Sequence, residues 1–92
     1  MSPVPLVIPP RFKRHLKKKA PQLQEAITAR VAQLGENPRH QSLQTHELQS
    51  RKGVFEAYVD KANRITFHYE KREGQRHIVL RKHCSHDILR SP

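Results

Sequence analysis

The sequence predicts an α+β fold. It has an N-terminal edge strand, then an antiparallel helix pair packed on one face of a mainly antiparallel sheet of three or four strands. Two observations carry this. Apolar residues recur at helical spacing in the first half and at every second position from residue 54 onward. Prolines and glycines fall where each element has to stop.

The elements follow in order. "PVPLVI", residues 3–8, reads as a short strand. Pro5 cannot donate to a ladder, which puts the strand at a sheet edge. "RFKRHLKKK", residues 11–19, sets Phe12 and Leu16 one turn apart among cations, a short helix with a basic outer face that includes His15. Pro21 then opens a second helix. In "PQLQEAITARVAQLGENP", Leu23, Ile27, Val31 and Leu34 form an apolar stripe, and Gly35 and Asn37-Pro38 supply the stop. Residues 39–53 have no clean period and read as a loop that contains His46.

From residue 54 the alternation is that of strands. Phe55, Ala57 and Val59 share one face, as do Ile65, Phe67 and Tyr69, and then Ile78 and Leu80. Hairpin turns are expected at 60–63 and at Glu73-Gly74. The helix pair would cover this apolar face. The opposite face would carry Tyr58, Arg64, His68, Arg81 and His83, whereas a solvated face usually carries threonine, lysine, glutamate and serine.

A chain of 92 residues is expected to be a single domain, 1–92, with one modest core. Its formal charge of +10 favours polyanions, nucleic acid first and an acidic protein second. The basic residues are spread along the chain, as on a folded surface. Cys84 is the lone cysteine, so no internal disulfide forms, which fits a reducing cytoplasm. No apolar run is long enough for a membrane span. "RKHCSHDIL" offers His83, Cys84 and His86 as possible zinc ligands. Residues 83 and 84 of a strand point opposite ways, however, and a structural zinc site wants four ligands, so no metal or other cofactor is expected.

Several stretches together resemble the RelE/ParE-like toxins of type II toxin–antitoxin modules, across about residues 11–90. They are "FKRHLKK", "LGENP", "LQTHELQSRKGVFEAYV", "NRITFHY" and "HCSHDIL", in that order. The resemblance implies the same α+β fold. It implies a cognate antitoxin, acidic here, as partner. It also implies one of two activities, metal-independent mRNA cleavage at the ribosome or poisoning of gyrase. His46 is similar to a histidine of the YafQ-like branch, and His86 to that branch's C-terminal catalytic histidine. Both favour the ribonuclease. A gyrase-binding toxin or an inactive RNA-binding relative is the alternative. The sequence departs from the family where RelE lysines fall on Glu56 and Tyr58. It departs again where a YafQ-like aspartate falls near Asn63, and where a RelE-like arginine falls at about His83.

The chemistry needs a base for the 2′-OH, a cation for the phosphorane and an acid for the leaving 5′-oxygen. Histidine suits the proton transfers, and the planar fork of arginine suits the phosphate. The resemblance therefore assigns Arg64 to the scissile phosphate and His86 and His46 to proton transfer, with His83 a further catalytic candidate. Arg81, Lys82, His68, Lys17 and Lys18 are candidates for RNA contact, and Tyr58 for stacking on a base.

Overall fold

The computed structural model describes residues 3–85. Strand β1 (Leu6–Val7) leads into helix α1 (Pro10–Lys17) and helix α2 (Pro21–Glu36). A 3₁₀ turn (Gln41–Leu43) then precedes β2 (His46–Glu47), β3 (Val54–Asp60), β4 (Asn63–Arg72) and β5 (Gln75–Ser85). The strands form one five-stranded sheet of order β1-β5-β4-β3-β2. β1 is parallel to β5 and the other pairings are antiparallel.

Each helix starts on a proline, whose missing N–H costs nothing in the first turn. α1 buries Phe12, and α2 buries Ile27, Val31 and Leu34. These meet Ala57, Val59, Ile65, Phe67, Ile78 and Leu80 of the sheet. Leu23 and Phe55, expected inside, are partly buried and pack on the margin of this core. Both hairpins turn where expected, and Glu73 (φ 52°) and Gly74 (φ 78°) both take the left-handed conformation that matches strand twist.

Three expectations are corrected. Gly35 does not end α2, which runs on to Glu36 and stops at extended Asn37, the residue before Pro38. Gly35 instead lets β1 approach: a Cβ there would lie 2.7 Å from Leu6 Cδ1, and Gly35 O accepts from Val4 N at 2.8 Å. Residues 39–53 are not all loop. The 3₁₀ turn buries Leu43 completely, and β2 adds a fifth strand at the far edge.

The third correction concerns β5. Its pairing with β4 shifts between Thr66↔Lys82 and Phe67↔Leu80, so Arg81 is an extra residue, a β-bulge. A one-residue insertion reverses the facing of every side chain beyond it. His83 therefore lies opposite Ile65, which is fully buried, on the helix side and not beside Arg81. Lys82 and Cys84 lie opposite Thr66 and Arg64, on the open side. The Thr66 hydroxyl secures the bulge by accepting from Lys82 N at 3.2 Å and donating to Lys82 O at 3.3 Å.

Candidate functional site

The face of the sheet away from the helices is laid out by register. One row crosses four strands as His46, Glu56, Thr66 and Lys82. The next row is Tyr58, Arg64 and Cys84. Beside these rows lies a cleft of about 280 Å³, lined by Arg51, Arg81 and Lys82 together with Leu48, Ser50, Val54, Thr66 and Cys84. Three cations and two hydroxyls line it and, among the described residues, no carboxylate does. Its outer wall is the β2–β3 connection. There Gly53 holds φ +85° and donates its N–H to Glu47 Oε2 at 2.6 Å, which folds the segment carrying Arg51 back over the sheet.

His46 is exposed, at 58 % of its side chain. Its Nδ1 donates to Gln44 O at 3.0 Å, which turns Nε2 toward Glu56 Oε1 at 3.4 Å. Nε2 is thus the nitrogen available to take up or release a proton. Arg64 is held at the other end of the face. Its Nη1 donates to Asn63 O at 2.9 Å and to Asp60 O, and its guanidinium lies 4.7 Å from the centre of the Tyr58 ring. Arg30 of α2 approaches the same ring at 5.7 Å. Tyr58, expected to stack on a base, has these two guanidiniums as its ring neighbours and forms a seat for Arg64.

His68 Nδ1 accepts from Arg81 Nη1 at 3.1 Å, and its Nε2 donates to Glu70 Oε2 at 3.3 Å. This line of bonds fixes the direction of Arg81. Glu70 is held below the usual carboxylate range, first by the hydrogen bond from Arg72 and then by that from His68. Burial pushes the Cys84 thiol up, against the pull of Lys82. A thiol held protonated is a poor nucleophile, so Cys84 serves as a wall of the cleft. Lys17 and Lys18 are exposed at the end of α1 and are not among the residues that line the cleft.

His83, expected on the polar face, packs instead between the sheet and the helices, near Phe12, Leu16 and Ile27. Its Nε2 donates to Asn63 Oδ1 at 2.6 Å, and Asn63 Nδ2 donates to Asp60 Oδ1 at 2.9 Å. Asn63 thus ties the β3–β4 turn to β5. His15, expected on the outer face of α1, lies beside β5. His86 lies outside the described residues. His83 and Cys84 point to opposite sides of the sheet, so those two cannot share a metal.

Burial is the largest influence on His83, and it lowers the ring's pKa below the ordinary 6.5; Lys19 lowers it further and Asp60 opposes. The sign follows. The unfolded chain binds the proton more readily, so the contribution of His83 is intact above pH 6.5 and is lost as pH falls through that value toward the folded one. The melting temperature should therefore fall more between about pH 7.5 and 5.5 in the parent than in His83→Leu. Equal falls in both would show that this ring does not couple folding to pH.

Sequence reading missed the bulge and the row His46–Glu56–Thr66–Lys82. A signal for the bulge was present. Strict alternation after Ile78 and Leu80 would send Lys82 into the core, where an unpaired lysine is almost never found.

No family model matches the chain, and no curated protein does. Solved structures do. The chain resembles a YoeB/ParE toxin from Agrobacterium tumefaciens with a TM-score of 0.69 at 10 % identity, over 90 % of this chain and 99 % of that one. It resembles the toxin–antitoxin complex RelBE2 from Mycobacterium tuberculosis with a TM-score of 0.67 at 19 % identity, over 90 % and 98 %. The fold is that of the RelE/ParE-like toxins.

Proposed function

We propose that this chain is the toxin of a type II toxin–antitoxin module and cuts mRNA on the ribosome, in the cytoplasm, without a metal or other cofactor. The observation that carries the proposal is a cleft lined by three cations and, among the described residues, by no carboxylate, on the open face that also carries His46 and Arg64. His46 and Arg64 lie two strands and one row apart, about 10 Å across the strands and about 7 Å along them, a span that their side chains can bridge to flank one phosphodiester.

In the proposed reaction a histidine takes the proton of the 2′-OH, and that oxygen attacks the adjacent phosphorus. The bond from phosphorus to the 5′-oxygen breaks, a second histidine protonates the leaving oxygen, and a cyclic phosphate remains. His46 and His86 supply the two proton transfers. Arg64 and Lys82 stabilise the charge that develops on the phosphorane. Arg51 and Arg81 hold the RNA backbone on either side. The structure from Mycobacterium tuberculosis is a toxin–antitoxin complex. An acidic antitoxin that covers the electropositive face of the present chain would silence it.

Asn63 and Glu56 favour a second reading, a gyrase-binding or inactive toxin. Asn63 cannot titrate, and Glu56 places a carboxylate where a phosphate-binding cation would serve. An in vitro translation reaction with mapping of mRNA 5′ ends separates the readings. The ribonuclease stops synthesis and leaves discrete new ends. Intact mRNA together with gyrase-dependent DNA breaks would overturn it.

A further inference from the structure

A second groove of about 400 Å³ lies around the corner from the cleft, between α1 and the outer edge of β5. β1 pairs with β5 only at Ile78 and Val79, because Pro9 and Pro10 turn the chain away into α1. From Leu80 onward the outer edge of β5 has no strand beside it among the described residues. Arg11 and His15 of α1 line one wall of the resulting groove, and His68, Arg81 and Lys82 line the other. Like the cleft, it has no carboxylate in its lining among the described residues.

Arg81 and Lys82 line both depressions. The bulge makes this possible. In a regular strand two consecutive side chains point to opposite faces, but here both sit at the open side of the rim where the two grooves meet. The Glu70–His68–Arg81 line of hydrogen bonds holds the guanidinium at that rim.

We propose that the α1–β5 groove is a second binding subsite for single-stranded RNA, continuous with the cleft across the Arg81–Lys82 rim, with Arg11 as its distal phosphate contact. The proposal rests on the ribonuclease reading and extends it. An RNA strand seated in the cleft would cross the edge of the sheet and continue toward α1. Affinity would then depend on the length of RNA beyond the scissile phosphate. A flexible polyanion suits two cationic grooves joined at an angle, since each phosphate needs only a nearby cation and no fixed backbone geometry.

The probes are fluorescein-labelled 2′-O-methyl oligonucleotides of roughly 4 and roughly 12 nucleotides. They lack the free 2′-OH that cleavage needs. Anisotropy titrations of the full chain at about 50 and about 200 mM salt read affinity and its salt slope. The longer RNA should bind more tightly and with the steeper slope. Arg11→Ala should weaken the longer RNA about 5–10-fold and lower its slope by about 0.7, the value for one phosphate contact to a single strand. The shorter RNA should be unaffected. Arg11→Glu should exaggerate the same difference.

If Arg11→Ala weakens both lengths equally, or neither, the subsite is overturned; the second outcome would leave the groove to another occupant, such as an acidic peptide. Cleavage of unmodified mRNA is assayed alongside. A parent that cuts mRNA yet binds both lengths equally overturns the subsite alone. A parent that binds the longer RNA through Arg11 but never cuts mRNA overturns the ribonuclease reading and supports the groove as an RNA site.

Discussion

Arg64→Ala should slow mRNA cleavage by about 10²–10³-fold and leave the protein folded. The guanidinium is held by the carbonyls of Asp60 and Asn63 and by the Tyr58 ring, all at the margin of the sheet. All its hydrogen bonds run from Nη1, so Nε and Nη2 remain unbonded among the described residues. Those two nitrogens can face a phosphate while the rest of the group stays anchored. Removing the side chain opens no core cavity, so circular dichroism should be unchanged. Arg64→Lys should not restore the rate, because an ammonium cannot donate to two oxygens in one plane. His86→Ala and His86→Gln should fail in the same assay, the second because glutamine forms hydrogen bonds but exchanges no proton near neutral pH. Lys13→Ala, on an exposed position of α1, is the control and should cut at the parental rate. An Arg64→Ala protein that cuts as fast as the parent would remove Arg64 from the mechanism and leave Lys82 and Arg81 to be tested.

Phe67→Ala should destabilise the protein by about 3–5 kcal/mol. Phe67 is fully buried at the centre of β4. Its ring stacks on Phe55 at 5.7 Å and meets Tyr69 edge-on at 5.6 Å. A domain of this size is held by about 5–14 kcal/mol in total, so this one change removes a large share of it. The urea midpoint should fall with little change in slope, and the melting temperature should drop by more than about 10 °C. A drop of only a few degrees would mean that the core collapses around the vacancy or that the helix–sheet interface contributes little.

Much of the fold was legible because its signals are local. The stripe Ile27, Val31, Leu34 is visible within one helix, and all three residues are buried. Ile65, Phe67, Ile78 and Leu80 alternate within their own strands and are buried too. Glu73-Gly74 marks a tight turn by chemistry alone. What escaped was set by partners distant in sequence. β2 is two residues long, too short for any period, and exists because β3 lies beside it. Leu43 is buried by a turn that has no apolar pattern of its own. The bulge depends on how β5 aligns with β4, and it decides which candidates share a face. The bulge brings Lys82 to the open side, where alternation alone already puts Arg64 and Arg81, and it turns His83 away from that side.

The order in which the strands are made bears on when the protein can act. β1 is the first of the described strands to be made, yet its partner in the sheet is β5, the last of them. The β4–β5 hairpin closes over two residues and zips cheaply, but it cannot begin until its second arm has left the ribosome. Until then β1 has no ladder to join, and Arg81 and Lys82 have no strand to place them. A nascent chain therefore carries no assembled cationic face. If the chain acts as proposed, the ribosome that makes it is shielded until β5 has emerged, and an antitoxin would have the interval after that in which to meet it.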